Sequence, residues 1–447
     1  MHPPHKLVAI TKGAFIIQIY VVKRGDTLSA IAMRYKTTAS EIIRTNEIET
    51  PNDLVIGQTI VIPIRGQFYE VKQNDTLYKI GQRFQVSVAE LARVNRIQPE
   101  AILPIRFLLY IPERPKRDIL SKAYIEPRGN QVSENLKQAA REASPYLTFL
   151  GAFSFQAQRD GTLREPPLDQ LPQIAAQSQT ELSMVVTNLE DEKFSDELGR
   201  ILLTNQSVKT TFLNEIVRVA KKYQFKEIHF DFEYLRPADK DAYIQFLREA
   251  TARFHQEGWM ISAALAPKTS SEQKGKWYEA HDYEAIGNIV DQVVLMTYEW
   301  GYSGGPAQAV SPIGPVRQVI EYALTVMPAN KIMMGQNLYG YDWTLPYVQG
   351  GPFAKAISPQ QAIAIARDHN VSILYDETAQ APYFRYTDDN NKQHEVWFED
   401  ARSIQAKFNL IKELNINGIA YWKLGLSFPQ NWLLLSDQFN IEKRMTS

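Results

Sequence analysis

The chain has 447 residues, 44% hydrophobic and 22% charged, a balance typical of folded proteins and a length that suits two or three domains. Its formal net charge of -1 argues against a nucleic-acid reader, which needs clustered Lys and Arg, and gives no indication of binding to a membrane surface. Because there is no cysteine, disulfides, thiolate metal sites and a cysteine nucleophile are excluded.

The first segment, residues 1–19, is apolar in two short stretches. Lys12 and Gly13 interrupt these stretches, and no small-residue cleavage site follows them. We therefore expect a disordered leader rather than a recognisable signal peptide. No later run is long enough to span a bilayer, so we expect no membrane insertion.

A repeat follows, with one copy at residues 20–64 and a second at residues 68–112. Residues 20–28 recur as residues 69–77, and the same offset maps Asn46 onto Asn95 and Pro63 onto Pro112 without a gap. Each copy begins with a short alternating strand and a turn whose Asp or Thr can cap a helix. A second helix, starting near Thr38 in the first copy, and a closing strand complete a small α+β module.

Both copies resemble the LysM domain. The resemblance implies binding to polymers that contain N-acetylglucosamine, in a groove between the first turn and the loop before the last strand. The implied binding residues are Gly25, Asp26, Thr27, Leu28, Asn74, Asp75, Thr76 and Leu77. Asn74 replaces the usual Gly, and Asn tolerates the left-handed backbone that the turn needs. The alternative is that the Asp and Thr side chains serve only as helix caps. Two modules on one chain would act by avidity.

After a charged linker at residues 113–118, short apolar runs alternate with helical patterns over residues 119–447. The eight strand candidates are residues 122–125, 147–153, 183–188, 227–233, 260–266, 292–298, 331–337 and 418–423. Eight strands with crossover helices predict an α/β fold, a (β/α)8 TIM barrel. Alternating residues between 373 and 398 predict a small inserted lobe. An open doubly wound sheet is disfavoured because no Gly-rich phosphate loop follows the first strand.

The fourth strand candidate ends in a polar run. Side chains alternate along a strand, so His229, Asp231 and Glu233 share one face, which we expect to line the barrel interior near its carboxyl-terminal mouth. Two same-face carboxylates cannot flank a scissile bond as acid and nucleophile do in ordinary retaining glycosidases. Glu233 as proton donor and Asp231 as helper suit substrate assistance, in which a 2-acetamido oxygen attacks the sugar carbon. The charge of Asp231 would raise the pKa of Glu233. The alternative is a structural carboxylate pair.

This run resembles the Asp-x-Asp-x-Glu motif of glycoside hydrolase family 18. Met296, Tyr298 and Glu299 stand where that family has a Met-x-Tyr-Asp motif, and Trp422 ends the eighth strand. The resemblance implies that Glu233 is the acid and base, that Asp231 and Tyr298 hold the acetamide group, and that Trp422 stacks on the sugar. The pocket is expected to include Met296, Glu299, His229, Gln336, Asn337 and Tyr339.

Two residues depart from the family motifs. His229 replaces the first Asp, and Glu299 replaces the Asp of the second motif. We hypothesise that His229 donates a hydrogen bond to Asp231, in which case its titration would enter the rate profile. The acidic residues and seven histidines show no metal-ligand spacing, and we expect no cofactor.

Residues 296–302 and 421–425, together with the paired modules, resemble a narrower group, the spore cortex-lytic N-acetylglucosaminidases of endospore-forming bacteria. This resemblance implies hydrolysis of cortical peptidoglycan fragments with muramic δ-lactam during germination, and a location in the spore coat or cortex. Spore coat proteins are further candidate partners. The alternatives are a chitinase and a non-catalytic glycan-binding coat protein. The intact Asp231 and Glu233 argue against the latter.

Overall fold

The computed structural model describes residues 16–64, 67–84, 86–112 and 116–444. It contains two compact units: one runs from the front of the chain to Lys116 without Val55–Gln58, and the other comprises Val55–Gln58 and the chain from Arg117 onward. Residues 1–15 of the expected leader and residues 113–115 of the expected linker lie outside the described residues.

The first unit contains the two repeats, each with two strands around two helices. Their elements are β1 Ile16–Val21, α1 Leu28–Arg34, α2 Ala39–Asn46, β2 Thr59–Ile64, β3 Gln67–Glu70, α3 Leu77–Phe84, α4 Val88–Asn95 and β4 Leu108–Ile111. Strand β1 pairs antiparallel with β2, and β3 pairs antiparallel with β4. Each module has its own small core, with Ile31 and Ile42 in the first and Ile80 and Leu91 in the second.

An asparagine joins helix to strand in each module, buried in the first module and partly buried in the second. The Asn46 side chain donates to the carbonyls of Ile42 and Val61 at 2.9 and 2.7 Å, and it accepts from the Val61 N–H at 2.7 Å. Asn95 makes the same three bonds, with Leu91 and Tyr110 as partners. The two asparagines therefore satisfy backbone groups that the two-stranded ladders leave free.

The second unit has strands of three kinds: barrel strands, lobe strands and short accessory strands. In chain order they are β5 Arg117–Ile125, β6 Phe149–Ala157, β7 Leu163–Arg164, β8 Glu181–Thr187, β9 Leu189–Glu190, β10 Lys193–Phe194, β11 Glu227–Asp231, β12 Met260–Leu265, β13 Gln292–Leu295, β14 Ile332–Asn337, β15 Gly340–Thr344, β16 Lys355–Ile357, β17 Leu374–Asp376, β18 Ala381–Thr387, β19 Gln393–Trp397, β20 Gly418–Trp422 and β21 Phe439–Ile441.

Most barrel strands are followed by helices. These are α5 Glu134–Ala143, α6 Leu171–Gln177, α7 Asp196–Thr204, α8 Gln206–Tyr223, α9 Lys240–His255, α10 Tyr283–Ile289, α11 Ile313–Val326, α12 Pro359–Asp368, α13 Ala401–Glu413 and α14 Pro429–Gln438, with short 3-10 turns at Ser144–Tyr146, Pro237–Asp239 and Ala329–Lys331.

The barrel consists of eight parallel strands in the order β5, β6, β8, β11, β12, β13, β14 and β20. It closes because β20 pairs with β5, through Gly418 and Leu120 to Tyr421 and Ala123, while β5 also pairs with β6. The predicted (β/α)8 barrel is confirmed.

The predicted lobe is an antiparallel sheet in the connection between β14 and β20. Its strand order is β16, β15, β19, β18 and β17. Strands β15 and β16 were not predicted because they are short: β16 has three residues, and the alternation of Tyr341 and Trp343 in β15 extends over only five residues.

The two faces of strand β11 lie in different environments, as the alternation of its side chains predicts. Phe230 packs edge-on against Phe246 on α9, with ring centroids 5.2 Å apart, and Phe232, just beyond the strand, stacks on Tyr243 at 5.9 Å. These rings fill the layer between strand and helix, so His229 and Asp231 face the barrel interior.

Candidate active site

Two buried carboxyl groups lie at the carboxyl-terminal end of β11. Asp231 is 6% exposed and Glu233 is 9% exposed. Burial raises the pKa of Asp231 to about 7. Burial, and then the charge of Asp231, raise the pKa of Glu233 well above its usual value. The site therefore holds an acid, Glu233, that keeps its proton to higher pH than an exposed glutamic acid, beside Asp231, which titrates near neutral pH.

Two side chains from neighbouring elements fix the backbone around Glu233. The Asn188 side chain donates to the Glu233 carbonyl and accepts from its N–H, both at 3.0 Å. His281 contacts the Phe232 carbonyl through Nε2 at 2.9 Å and accepts from the Ala266 N–H at 2.9 Å. Since Nδ1 is the acceptor, Nε2 carries the hydrogen of this ring. The acid is thus placed by bonds to its own main chain.

Trp277 contacts the carboxyl group of Glu233 directly. Its Nε1–H donates to Oε2 at 2.5 Å, and its ring stacks on Tyr234 with centroids 6.1 Å apart. This hydrogen bond lowers the pKa of Glu233, against burial and against Asp231. The same hydrogen bond occupies Oε2 of Glu233, so Oε1 is the oxygen that can contact a glycosidic oxygen.

Tyr298 lies just beyond β13 and is buried. Burial raises the pKa of its hydroxyl well above the usual value, and the charges of Asp231 and Glu233 act in the same direction. The ring has room because Gly335 on the next strand has no side chain. A Cβ at that position would lie 2.9 Å from Cε1 of Tyr298. The hydroxyl therefore belongs to the same cluster as the two carboxyl groups.

The side chain of Glu299 turns away from the carboxyl pair. Tyr339 and Tyr341 both donate to Oε1 of Glu299, Tyr341 at 3.0 Å. Its backbone is left-handed, with φ at 67°, which sends consecutive side chains in different directions. Glu299 and Tyr339 thus form a pair beside the pocket wall.

Trp422, at the end of β20, lies beside the mouth of the barrel. Its ring packs edge-on against Phe153 at 4.8 Å and lies 5.6 Å from the ring of Tyr124. It lines a cavity of about 610 Å³ that also has Phe153, Leu189, Phe194 and Arg164 in its walls. An aromatic floor in an open cleft suits the apolar face of a sugar ring.

His229 has partners different from the hypothesised one. It is fully buried, its Nε2 lies 2.9 Å from the Tyr124 hydroxyl, and its Nδ1 lies 2.6 Å from Oγ of Ser262. Burial, and then the charge of Lys122, lower its pKa well below the usual value. The imidazole is therefore neutral under the cleft, and its contacts are with the protein.

The remaining predicted pocket residues lie behind the surface of the cleft. Gln336 and Asn337 are fully buried, Nε2 of Gln336 donates to Asn337, and Nδ2 of Asn337 donates to the Tyr339 carbonyl at 2.6 Å. Met296 is buried in one apolar cluster with Tyr298. These residues support Tyr298 and Tyr339 from beneath.

In the first module the predicted binding residues form the turn before α1. Gly25 has φ at 84°, Thr27 caps α1 through the Ala30 N–H, and Leu28 is buried. Asp26 accepts from the Tyr20 hydroxyl and the Lys23 N–H, both at 2.7 Å.

The second module repeats this turn. Asn74 is left-handed at 67°, Thr76 accepts from the Lys79 N–H, and Leu77 is buried. Asp75 accepts from the Tyr69 hydroxyl at 2.7 Å and the Lys72 N–H at 2.8 Å. In both modules the Asp and Thr side chains accept hydrogen bonds that stabilise the turn itself.

Sequence reasoning did not find Trp277, and it gave no specific role to Asn188 or His281. Trp277 lies 44 residues after Glu233, in the loop between β12 and α10. Loops at the carboxyl ends of barrel strands converge on one mouth, so a lone polar-edged aromatic in such a loop was the available signal.

Among the residues that the structure describes, no group of three or more His, Asp or Glu is placed to hold a metal ion. Within the same residues, no helix combines the length and apolar character needed to cross a membrane.

Comparison with known families gives two matches. The model of "Glycosyl hydrolases family 18" matches residues 129–426. The LysM domain model matches residues 20–63 and 69–112. Together the matches cover both repeats and the barrel from residue 129 onward, beginning after strand β5.

Similar proteins come from Bacillus species. The chain is 73% identical to the cortical fragment-lytic enzyme of Bacillus subtilis (strain 168), over 96% of this chain and 99% of that protein. It is 51% identical to the enzyme of the same name from Bacillus cereus, over 96% of this chain and all of that protein. The crystal structure of the Bacillus megaterium QM B1551 spore cortex-lytic enzyme SleL superposes with a TM-score of 0.89 at 53% identity, covering 97% of this chain and all of that chain.

Proposed function

The chain belongs to glycosyl hydrolases family 18 and is a glycoside hydrolase, and from this premise we propose that it is an N-acetylglucosaminidase of spore cortex fragments. The proposal is supported by similarity over almost the whole chain to cortical fragment-lytic enzymes and by a carboxyl pair that suits 2-acetamido sugars. The observation that carries the mechanism is that Asp231 and Glu233 are buried together at the carboxyl-terminal end of β11.

In the first step Glu233 acts as the acid. It transfers its proton to the glycosidic oxygen, and the bond between that oxygen and the anomeric carbon breaks. The raised pKa of Glu233 keeps the proton available at neutral pH. The acetamido oxygen of the same sugar forms the new bond to the anomeric carbon, giving an oxazolinium ion on the far face.

Asp231 and Tyr298 hold the acetamido group during this attack. The ionised Asp231 accepts from the acetamido N–H and stabilises the positive charge of the oxazolinium ion, while the Tyr298 hydroxyl donates to the acetamido oxygen. Trp422 supports the apolar face of the sugar. Since the protein supplies no nucleophile, sugars without a 2-acetamido group are not substrates.

In the second step Glu233, now ionised, acts as the base. It takes a proton from water as that water attacks the anomeric carbon, and the bond to the acetamido oxygen breaks. Two inversions at one carbon give net retention, and Glu233 regains the proton that it gave to the leaving group.

The two LysM modules retain the enzyme on its insoluble polymer. Each module binds the glycan weakly, and the linkage of two modules on one chain raises the retention. We place the enzyme in the spore cortex or coat, where its substrate is peptidoglycan with N-acetylglucosamine and muramic δ-lactam, and where coat proteins are candidate partners.

The proposal is tested by digesting purified cortex fragments, vegetative cell wall and chitin with the wild type and with Glu233→Gln. We expect the wild type to release reducing N-acetylglucosamine ends from cortex fragments. We expect Glu233→Gln, which keeps the shape of the side chain but has no proton to transfer, to be slower by about 10²- to 10⁴-fold.

Three outcomes would contradict the proposal. Release of muramic reducing ends would mean that a different glycosidic bond is cleaved. Equal activity of Glu233→Gln and the wild type would mean that Glu233 is not the acid. Faster hydrolysis of chitin than of cortex fragments would favour a chitinase.

A further inference from the structure

A chain of polar side chains lies inside the barrel beneath the carboxyl pair. Lys122 and Glu227 form an ion pair with Nζ and Oε1 2.8 Å apart, and both side chains are fully buried. Ser262 on β12 contacts Oε1 of Glu227 at 2.6 Å and Nδ1 of His229 at 2.6 Å. Tyr124 contacts Nε2 of His229 at 2.9 Å. Neither the hydrolytic reaction nor the family motifs assign a role to Lys122, Glu227 or Ser262.

The directions of these hydrogen bonds follow from the hydrogens that are available. A serine hydroxyl has one hydrogen to donate, and a carboxylate can only accept, so the Ser262 hydrogen goes to Glu227. The 2.6 Å contact between Ser262 and His229 then needs a hydrogen on Nδ1 of His229. Lys122 lies 3.3 Å from Oγ of Ser262 and fills the second lone pair of that oxygen.

The hydrogen-bonding role of the other ring nitrogen of His229, Nε2, follows from this assignment. A neutral imidazole with its hydrogen on Nδ1 has a bare Nε2, so the Tyr124 hydroxyl donates to Nε2. The hydrogen bonds therefore run in one direction, from Tyr124 through His229 and Ser262 to Glu227. The Tyr124 hydroxyl has only lone pairs left for the catalytic side of the barrel.

We propose that Ser262 is a positioning residue of the catalytic centre: it locks His229 in the Nδ1–H form, so that Tyr124 has no hydrogen to offer Asp231. This inference rests on the proposed role of Asp231. Without a donor from below, the carboxylate of Asp231 has no stabilising partner on that side. Asp231 therefore ionises only as the pH rises towards its raised pKa of about 7, and the acetamido N–H of a bound substrate is the donor that stabilises its carboxylate.

The surroundings of Asp231 agree with this arrangement. Its Oδ1 is buried and has no hydrogen-bond partner in the described part of the chain. His229 and Asp231 lie two residues apart on the same face of β11, so the Tyr124 hydroxyl that contacts His229 lies against the face that also carries Asp231. Burial, and then the charges of Tyr298, Asp231 and Glu227, raise the pKa of Tyr124.

The charged and titratable groups around His229 lie on two strands. Lys122 and Tyr124 on β5 contact the imidazole, and Glu227 and Asp231 lie on β11, the strand that carries His229. Glu233 follows β11, and Tyr298 follows β13. Burial lowers the pKa of His229 and the charge of Lys122 lowers it further, so the imidazole stays neutral in the pH range of the experiment.

The direct test is the tautomer of His229, read from the ¹⁵N spectrum of the histidine-labelled full-length protein. His229→Asn identifies the signal. We expect the hydrogen on Nδ1 in the wild type. In Ser262→Ala the acceptor is gone, and Lys122, 3.4 Å from Nδ1, becomes its donor, so the hydrogen moves to Nε2. Ser183→Ala is the matched control because Ser183 is a buried strand serine whose hydroxyl has no hydrogen-bond partner within the described residues.

The second readout is the pH profile of kcat/KM on soluble fragments. With the hydrogen on Nε2, His229 donates to Tyr124, and the Tyr124 hydroxyl can donate to Asp231 and stabilise its carboxylate. We expect the acid limb, the first deprotonation of the Asp231–Glu233 pair, to move down by about one pH unit in Ser262→Ala. Ser183→Ala should keep the wild-type limb, and Ser262→Thr, which retains a hydroxyl, should restore it.

The outcomes separate this inference from the proposed function. A hydrogen on Nε2 of His229 in the wild type overturns the inference even if hydrolysis is as proposed. An acid limb that Ser262→Ala leaves in place overturns it too. If Ser262→Ala does not fold, the wild-type spectrum still decides the tautomer, and a displaced acid limb in Ser262→Thr would contradict the role of the hydroxyl.

Discussion

Glu233 shows how a single residue is tuned by opposing contacts. Burial and the charge of Asp231 raise its pKa, and the Trp277 indole lowers it by donating to the ionised form. The wild-type pKa of Glu233 is therefore a compromise: the acid keeps its proton to higher pH than an exposed glutamic acid but can still ionise when it must act as the base.

Trp277→Phe should change the pKa of Glu233. Phe keeps the ring that stacks on Tyr234 but has no hydrogen to donate to Glu233, so the pKa of Glu233 should rise. Glu233 then stays protonated to higher pH, and the basic limb of kcat/KM should move up by roughly half to one pH unit. The profile is measured on soluble fragments.

Trp432→Phe makes the same chemical change elsewhere, where the ring stacks on Tyr146. It should leave both limbs in place. A basic limb that Trp277→Phe does not move would mean that the indole has no influence on the acid.

Asp231→Asn should stabilise the protein at alkaline pH. The folded-state pKa of Asp231 is about 7, above the ordinary value of 3.8, so folding takes up a proton between these values and stability falls as pH rises across that window. Asn carries no charge and escapes this penalty. The gain in free energy of unfolding should be small near pH 4 and reach up to about 4 kcal/mol at pH 8.

Tryptophan fluorescence in urea measures this gain in the barrel unit, since the first tryptophan of the chain is Trp259. Asp389→Asn, in the exposed turn between β18 and β19, is the control and should show no such pH dependence. Equal stabilisation of Asp231→Asn at both pH values would contradict the raised pKa.

The part of the site that lies on one strand could be predicted from the order of residues, and the part that other elements contribute could not. Strand alternation places Asp231 with Glu233 and separates them from Phe230 because neighbours on one strand have fixed directions. Trp277 and Ser262 could not be placed in this way. Their positions depend on how a loop folds over the mouth and on which strand neighbours β11, and only the closed barrel decides both.

At the scale of elements, apolar runs predicted the barrel because parallel strands are buried on both faces. The same rule could not find β15 and β16, which are short and lie in a lobe. The repeat offset predicted a second module with the same contacts as the first, and Asn46 and Asn95 make equivalent bonds.

Asn46→Ala should unfold the first module in part. It leaves the N–H and C=O of the fully buried Val61 without these partners, at a cost of about 2–4 kcal/mol in a module with a small core. Hydrogen exchange measured by mass spectrometry should show faster exchange in residues 20–64 and unchanged exchange in the barrel.

Asn95→Ala is the matched variant in the second module. Tyr110, its partner, is partly exposed, so water can replace some of the lost bonds and the effect should be smaller. An equal or larger effect in the second module would contradict this explanation.

At the scale of the whole molecule, the two modules have different surfaces. The second exposes Tyr78 at 65% and Ile102 at 96%, whereas the equivalent positions of the first are Ser29 and Asp53. Exposed apolar side chains next to a proposed glycan groove can pack on the apolar faces of sugars. The second module should therefore contribute more to retention on the insoluble polymer.

Swapping these residues between the two modules tests the difference in their contribution to retention. Tyr78→Ser with Ile102→Asp should weaken retention on insoluble cortex by roughly tenfold or more, and Ser29→Tyr with Asp53→Ile should strengthen it. Sedimentation with cortex measures retention, and hydrolysis of soluble fragments should stay unchanged in both variants. Equal retention by all three proteins would mean that these side chains do not contact the glycan.

The closure of the barrel between β20 and β5 also sets when the enzyme can first act during its own synthesis. Strand β5 leaves the ribosome long before its partner β20 and before Trp422, the residue proposed to stack on the sugar. At roughly 5–20 residues per second, the nascent chain passes a period on the order of half a minute with an open barrel edge and an incomplete cleft. An enzyme built in this order has no complete site with which to attack a glycan until Trp422 has been translated.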